Sequence, residues 1–194
     1  MYKVIYVKES RQKGYISIGL VIDGKRECYT VTNTLYGEIG SPVKGDALES
    51  DTVKVLAEDD ERFRALRRAL SLLSYADNSE RTLTLKLLRA GFSRSAVRFA
   101  VEDCVAHGYI NEREQLMRLV SVLANSKLRG PMYIKQSLMG KGYSASDIDA
   151  AIYELCEKKE IDFKESLHRL AEKMGANDPE ARRALAYKYG FREL

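Results

Sequence analysis

The sequence predicts a mainly α-helical protein in which tandem three-helix repeats follow a small antiparallel β module. Three observations lead to this fold class. β-rich runs of alternating character occupy the first 32 residues, and from about residue 60 the apolar period lengthens from 2 to 3.6. The sequence LLRAGFS at Leu87–Ser93 returns as LMGKGYS at Leu138–Ser144 and, more faintly, as AYKYGF at Ala186–Phe191. The chain therefore repeats a helical unit.

The N-terminal module, residues 1–58, is predicted to form three strands in a meander. Its runs YKVIYVK, YISIGLVI and ECYTVT are rich in β-branched and aromatic residues. Asp23-Gly24 separates the second run from the third, and a type I′ hairpin turn requires positive φ at both central positions. We expect a helical turn at Leu35–Ile39, a loop at 40–46, and a short linking helix from about Thr52.

Each repeat is marked by a glycine that ends a helix. Gly91, Gly142 and Gly190 lie 51 and 48 residues apart, and a period near 50 accommodates about three short helices. A glycine in this place supplies the left-handed backbone conformation that commonly ends a helix. Pro131 and Pro179 are suited to the first helical position, where a missing N–H costs no hydrogen bond.

Equivalent core residues recur at the same offset. Ile134 and Leu138 take the places of Leu83 and Leu87, 51 residues earlier. Matching apolar identities at a constant offset indicate a structural repeat more strongly than a shared glycine does. The predicted segments are 59–110 for repeat 1, 111–160 for repeat 2 and 161–194 for a truncated repeat 3 that lacks its final helix.

The formal net charge of +4 is unevenly distributed. Residues 1–60 hold eight Lys and Arg against ten Asp and Glu, so the basic surplus belongs to the repeats. Such a surplus favours nucleic acid or an acidic protein surface as the partner, although any single basic side chain can also be a solvated position on a helix face.

Several function classes are disfavoured by the composition. Cys28, Cys104 and Cys156 form no C-x-x-C pair, so we expect reduced, mostly buried thiols and no metal site. No set of nucleophile, base and orienting residue is visible, and we expect neither a cofactor nor catalytic residues. No apolar run reaches the roughly 20 residues of a membrane span, and the N-terminus lacks the apolar stretch of a signal peptide. The sequence predicts a cytoplasmic protein that is not an enzyme.

Basic residues near the helix corners are the candidate contact positions for DNA or for a protein partner. In the motif at 87–93 we expect Leu87 and Leu88 to fill the core, which leaves Arg89 for contact. For Arg67 and Arg68, ion pairing one helical turn away is the competing interpretation. The candidates are Arg67, Arg68, Arg81, Lys86, Arg89, Arg94, Lys127, Arg129, Lys135 and Lys141.

Four tyrosines near the helix corners, Tyr75, Tyr109, Tyr133 and Tyr143, could stack on bases or pack on a filament. Tyr109 and Tyr143 each follow a helix-ending glycine, where an aromatic residue usually packs on the preceding turn. We therefore expect both of them in the core. Tyr133, two residues after Pro131, is expected to face outward.

Three segments carry a family resemblance. They are ALSLLSYADNSERTLTLKLLRAGFS at 69–93, HGYINERE at 107–114 and SKLRGPMYIKQSLMGKGYS at 126–144. These segments resemble the first-repeat signature, the junction and the second-repeat element of the bacterial RecX family, whose members regulate the RecA recombinase. The resemblance covers most of residues 60–160, and the N-terminal strands resemble an extension found in a subset of the family.

The resemblance implies a curved, elongated array of three-helix repeats that binds the RecA filament on single-stranded DNA. Such a protein is expected to modulate ATP hydrolysis, strand exchange and coprotease activity by RecA and to perform no chemistry itself. Inhibition is the expected direction, although the residues themselves leave the direction open. We expect a monomer.

Two places depart from the family pattern. Asn78 stands where many members carry a basic residue, and Gln115 and Leu116 replace the usual Phe and Ala. The polar Gln115 is expected to alter the surface at this junction without altering the fold.

A protein that binds single- or double-stranded DNA directly, without RecA, is the second hypothesis. Two helices joined at a glycine turn also describe a DNA-binding helix-turn-helix. Binding through several phosphates would weaken linearly in the logarithm of the salt concentration, whereas a filament binder would require RecA for tight association.

Overall fold

The computed structural model describes residues 1–191, which form an antiparallel sheet followed by helices. The strands are β1 (Tyr2–Glu9), β2 (Tyr15–Ile22), β3 (Lys25–Thr32) and β4 (Ala47–Leu48). The helices are α1 (Asn33–Glu38), α2 (Ser50–Tyr75), α3 (Glu80–Arg89), α4 (Arg94–Ala106), α5 (Glu112–Ser121), α6 (Pro131–Gly140), α7 (Ala145–Glu157), α8 (Phe163–Met174) and α9 (Pro179–Tyr189). The predicted mainly helical fold class with N-terminal antiparallel strands is confirmed.

The chain divides into two compact units. The first comprises residues 1–75 and 84–109, and the second comprises residues 76–83 and the chain from residue 110. The predicted boundaries follow the sequence repeat, whereas the two units are defined by contacts between residues. The predicted segments 1–58, 59–110, 111–160 and 161–194 therefore stay a prediction. Residues 192–194 of the predicted third repeat lie outside the described residues.

The β2–β3 hairpin has the predicted turn. Asp23 and Gly24 connect the two strands with φ values of 47° and 76°, and Ile22 pairs with Lys25 across the turn. Positive φ at both central positions is the requirement of a type I′ turn.

The predicted three-stranded meander is incomplete, because β4 adds a fourth strand beside β1. The sheet order is β3-β2-β1-β4, and Leu48 of β4 pairs with Tyr2 of β1. A strand of two residues is too short to show an alternating pattern, so its pairing depends on the tertiary contacts of the preceding loop.

Helix α2 is continuous over 26 residues, so the predicted linking helix near Thr52 is the beginning of the first long helix. No glycine or proline interrupts 50–75, and buried side chains recur every three or four residues from Val53 to Ala69. The N-terminal part of α2 packs on the sheet, where Val53 and Leu56 join the core of β1, β2 and β3.

Two carboxylates of α2 bind the outer strand β3. The Thr30 N–H donates to Asp60 Oδ1 at 2.8 Å, and the Thr32 N–H donates to Asp59 Oδ2 at 2.7 Å. Asp60 lies among the buried residues of α2 and also accepts from Arg64 Nε at 2.8 Å. Because hydrogen bonds to charged acceptors are stronger than neutral ones, this pair fixes the position of α2 along β3.

The helix ends of the repeats follow the predicted pattern. Gly91, Gly142 and Gly190 have φ values of 90°, 97° and 86°, in the left-handed region that glycine enters without steric cost. Ser93 and Ser144, which follow the first two glycines, each accept a hydrogen bond from a backbone N–H of the next helix. The local sequence therefore determines these corners.

Two junctions in the second unit join helix ends to helix starts. In the first junction, the carbonyl of Lys141 after α6 accepts from the Ser79 hydroxyl at 2.8 Å and from the Thr82 hydroxyl at 2.7 Å. Ser79 and Thr82 lie at the start of α3, so donors on α3 satisfy a carbonyl that has no partner within α6.

The second junction joins the end of α9 to the start of α6. The Gly130 N–H donates to the carbonyl of Tyr189 at 2.8 Å, and the Met132 N–H donates to the carbonyl of Gly190 at 3.1 Å. A methyl group at Gly130 would overlap the carbonyl of Gly190. The two backbones can approach this closely only because residue 130 has no side chain.

The two junctions are equivalent in the repeat. Ser79 and Gly130 are 51 residues apart, and Lys141 and Tyr189 are 48 residues apart. In each junction the end of one helix meets the start of the corresponding helix of the preceding repeat. The contact between repeats is therefore itself repeated.

Gln115 is buried, which corrects the expectation that it alters the surface. Only 3% of its area is exposed, and its Oε1 accepts from the Tyr143 hydroxyl at 3.2 Å. A buried amide requires a partner of this kind. Tyr143 is in the core as predicted, whereas the prediction for Tyr109 is wrong, because Tyr109 is exposed and stacks on His107.

The cysteines differ from the prediction in their burial. Cys104 is buried, and burial raises the pKa of its thiol to about 11, with Asp103 acting in the same direction. Cys28 and Cys156 are exposed, so the expectation of mostly buried thiols is wrong for two of the three. All three are free thiols.

Glu61 of α2 holds the start of α4. The Ser93 hydroxyl donates to Glu61 Oε2 at 2.6 Å, and the Ser93 N–H donates to Glu61 Oε1 at 2.8 Å. The hydroxyl bond is the main reason that the pKa of Glu61 lies below its ordinary value, and the N–H bond and Arg64 lower it further while burial opposes them.

Replacing Gly130 with alanine is expected to destabilise the second unit. The added methyl group forces apart the backbones of the second junction, and overpacking of this kind costs about 1–3 kcal/mol. Gly140, the last residue of α6, has open space where a methyl group would lie, so Gly140→Ala is the matched control and should leave stability unchanged or slightly higher. Urea unfolding followed by circular dichroism measures both. Equal midpoints for the two variants would contradict the role of Gly130.

The Glu61→Gln variant is expected to change the acid dependence of stability. A carboxyl with a lowered folded-state pKa stabilises the protein above its unfolded-state pKa, and this contribution is lost as the pH falls through the folded-state pKa. The free-energy difference between wild type and variant should be largest above the ordinary glutamate pKa of about 4.3 and shrink as the pH falls below it. Urea titrations at stepped pH measure it, and a difference that stays constant would contradict the assignment.

Candidate interaction surface at the helix junctions

The ten candidate basic residues are divided between the two units. Eight of them are exposed, and Arg129 and Lys135 are half-buried. The first unit holds Arg67, Arg68, Lys86, Arg89 and Arg94, and the second holds Arg81, Lys127, Arg129, Lys135 and Lys141.

Arg67 and Arg68 on α2 are not paired along their own helix. Neither has an acidic residue three or four positions away, so ion pairing one turn away cannot account for them. The Arg67 guanidinium lies 5.8 Å from the ring centroid of Phe63, which packs its stem on the helix and leaves its charge at the surface.

The first junction brings together two of the candidate cations. The stem of Arg81 packs beside Gly142, so that a methyl group on Gly142 would lie 3.1 Å from Arg81 Cβ. Lys141 immediately precedes Gly142, and the side chains of both Arg81 and Lys141 are exposed. A basic pair therefore stands where α6 meets α3.

The second junction holds Arg129 between two aromatic rings. Its guanidinium carbon lies 4.6 Å from the ring centroid of Tyr133 and 4.5 Å from that of Tyr189. A cation over an aromatic face is attracted to it electrostatically. This arrangement gives Arg129 a role in joining α6 to α9, and a role in binding a partner stays a prediction.

The two remaining candidates in the second unit, Lys127 and Lys135, differ in their ion pairing. Lys135 Nζ lies 2.5 Å from Asp149 Oδ2 of α7, which neutralises part of its charge. Lys127 is exposed and has no ion pair within residues 1–191. Lys127 is therefore the more available of the two cations.

A groove of about 450 Å³ lies between α6 and α9. Its walls include Met132, Tyr133 and Met139 of α6 and Tyr187 of α9, whose side chains are exposed, and Lys135 and Lys188 stand beside them. Of these residues, Lys135 and Tyr133 are among the contact candidates that the sequence suggests. The groove unites apolar surface with positive charge.

Leu88 is exposed, which corrects its assignment to the core. Leu87 is fully buried, whereas 37% of Leu88 is accessible. Leu88, Met139 and Tyr187 occupy the same repeat position, three residues before Gly91, Gly142 and Gly190. A comparison of the three copies in the sequence could have shown that an apolar residue recurs at this position, whereas its exposure is a finding of the structure.

A second cavity in this unit, of about 260 Å³, lies between α5 and α7 and is acidic. Its carboxylates are engaged in structural contacts. Glu112 accepts from the Glu80 N–H at 2.7 Å, and Glu154 pairs with Arg113 and Lys158 at 2.9 and 2.8 Å. The hydrogen bonds from Lys158 and then Arg113 lower the pKa of Glu154. The Arg113–Glu154 pair connects α5 to α7.

Within the described residues, the structure was searched for metal sites and for helices that could span a membrane. Within residues 1–191 no three His, Cys, Asp or Glu side chains converge in a way that could hold a metal ion. Across the same residues, no helix combines the length and the apolar character needed to cross a membrane.

Comparison with known proteins gives one consistent family. No protein-family model matches the chain. Regulatory protein RecX of Clostridioides difficile strain 630 is 28% identical over 125 residues, which cover 64% of this chain and 58% of that protein. Regulatory protein RecX of Limosilactobacillus reuteri strain DSM 20016 is 25% identical over 191 residues, which cover 98% of this chain and 71% of that protein.

A solved structure agrees with these relatives. A crystal structure of regulatory protein RecX matches with a TM-score of 0.70 and 26% identity, covering 95% of this chain and 89% of that one. The chain thus spans less than two thirds of the Clostridioides difficile protein and most of the crystallised one.

Replacing Arg129 with alanine is expected to lower stability by about 1 kcal/mol, because it removes a cation from two aromatic faces. Lys127→Ala is the matched control, since it removes one positive charge two residues away at an exposed position. Thermal unfolding of the two variants measures the difference. An Arg129→Ala variant as stable as Lys127→Ala would exclude a structural role for the stacked guanidinium.

Proposed function

Because this chain belongs to the RecX family of regulatory proteins, we propose that it is a non-enzymatic regulator of the RecA filament on single-stranded DNA. Bound to the filament, it modulates ATP hydrolysis, strand exchange and coprotease activity by RecA. Inhibition is the proposed direction. The protein acts in the cytoplasm as a monomer and needs no cofactor.

The observation that carries this proposal is the basic pair at the first junction. Arg81 and Lys141 are exposed beside a contact that recurs between successive repeats. Stacked repeats present an extended surface that suits an extended partner. A nucleoprotein filament is extended in this sense and offers both phosphates and acidic side chains to cationic positions.

Regulation by binding requires a difference in affinity between filament states. A ligand shifts an equilibrium only as far as it binds one state more tightly than another. For inhibition, this protein must therefore prefer a RecA arrangement that hydrolyses ATP slowly or that cannot grow. The energy comes from surface contacts alone, so the effect should saturate with the amount of bound regulator.

Direct DNA binding is the alternative, and a comparison of affinity for single-stranded DNA with and without RecA separates it from filament binding. If the cations contact phosphates without RecA, affinity for single-stranded DNA should be high and should fall linearly in log salt. If the filament is the target, affinity for DNA alone should be weak at a salt concentration where the filament is still bound.

The test follows RecA-catalysed ATP turnover on single-stranded DNA as this protein is titrated in. Wild-type protein should lower the turnover. The double variant Arg81→Glu/Lys141→Glu should require about tenfold more protein for the same effect, because two attractive contacts become repulsive.

Lys164→Glu/Arg169→Glu on α8 is the matched control, since it makes the same charge change at two exposed positions of the second unit. It should behave like wild type. If wild type changes neither turnover nor filament length at excess, the proposed function fails. If the control loses as much activity as the junction variant, net charge is responsible and the assignment of the junction is rejected.

A further inference from the structure

An exposed apolar side chain recurs at one position of every repeat. Leu88, Met139 and Tyr187 precede their helix-ending glycines by three residues, and their exposed fractions are 37%, 49% and 64%. A single exposed apolar residue requires no explanation, whereas contiguous apolar surface usually marks a binding site. The recurrence of an exposed apolar side chain at equivalent positions indicates that these side chains share a function.

In the second unit two members of this row belong to one groove. Met139 and Tyr187 line the space of about 450 Å³ between α6 and α9, and Met132 and Tyr133 extend its apolar wall. Methionine side chains are flexible and polarisable, so they adapt to apolar groups of varied shape. The apolar lining of the groove can therefore adapt to the shape of a partner.

The charge of the groove points to an acidic occupant. Lys135 and Lys188 line it, and none of its described lining residues is acidic. Asp149 offsets the charge of Lys135, whereas Lys188 lies 5.9 Å from the Tyr189 ring centroid and keeps its charge at the rim. Complementary charge steers a partner and fixes its orientation.

The residue types distinguish a protein from a nucleic acid. Leucine, methionine and tyrosine at the recurring position share apolar bulk, but only tyrosine offers an aromatic face. Bases bind by stacking on aromatic rings, so a row that serves nucleic acid should keep the ring in each copy. A protein side chain needs only apolar area, which all three supply.

The walls of the groove are held in place. The hydrogen bonds from Gly130 and Met132 to the end of α9 fix that end against the start of α6. The groove is therefore formed before a partner arrives, which reduces the entropy lost on binding.

From these observations we propose that the α6–α9 groove binds an acidic protein surface that carries apolar side chains. This assignment rests on the proposed function. The acidic surface that the groove binds then belongs to the protein component of the filament, not to its DNA. The cations of the first junction then contact negative charge on the filament, while the apolar side chains of this groove contact apolar side chains of its protein component.

The experiment replaces the two apolar side chains that share the groove. Met139→Gln/Tyr187→Gln removes apolar area at exposed positions without adding charge, and Met139→Glu/Tyr187→Glu also adds repulsion toward an acidic partner. Affinity is measured twice, for RecA filaments on single-stranded DNA and for the same DNA without RecA. Tyr153→Gln is the matched control, because Tyr153 is an exposed tyrosine of α7 that does not line the groove.

We expect the Gln pair to weaken filament binding by about tenfold and the Glu pair to weaken it further. Affinity for DNA alone and the behaviour of the Tyr153→Gln control should stay within about twofold of wild type. Circular dichroism and the thermal midpoint confirm that the variants are folded, and the Gln pair serves as the test if the Glu pair is not.

Three outcomes overturn the inference, and they are distinguishable. If wild type binds the filament and the Gln pair binds it equally well, the groove is not a contact surface and the proposed function stands. If the Gln pair loses affinity for DNA alone to the same degree, the occupant is nucleic acid. If wild type binds no filament, the proposed function fails and this assignment fails with it.

Discussion

The structure of the second unit depends on how the carbonyl groups at its helix ends find hydrogen-bond donors. A helix leaves its last carbonyls without intrahelical partners, and the glycine turn covers only some of them, such as the carbonyl of Leu138, which accepts from the Tyr143 N–H. The ends of α6 and α9 meet donors at the starts of α3 and α6. Each repeat thereby completes the hydrogen bonding of the next one.

The two junctions solve the same problem with different chemistry. At the first, hydroxyl groups of Ser79 and Thr82 reach the carbonyl of Lys141, so the backbones stay a side chain apart. At the second, backbone N–H groups donate directly, and Gly130 removes the side chain that would separate the chains. This explains why equivalent positions hold a serine in one repeat and a glycine in the next. The geometry is shared while the residues differ.

Features governed by local chemistry were predictable from the sequence, and features governed by neighbouring elements were not. The helix-ending glycines and the Asp23-Gly24 turn follow from backbone conformation alone. The burial of Gln115 and the exposure of Leu88 depend on which face a neighbouring helix covers, which one sequence does not reveal. Strand β4 likewise depends on pairing with β1. Among the candidate contacts, the stacking of Arg129 depends on the three-dimensional contact between α6 and α9, whereas the recurrence of an apolar residue before each glycine, though not its exposure, follows from a comparison of the repeats.

The carboxylates that bind β3 also control what else can bind it. An outer strand with unoccupied N–H groups is a template on which a strand of another molecule can add, and repeated addition leads to aggregation. At Thr30 and Thr32 these groups are already taken by Asp60 and Asp59, and at the opposite edge β4 is only two residues long. In a protein proposed to act on a filament, the carboxylates of α2 thus block the end of β3 as a place where a second copy could add a strand.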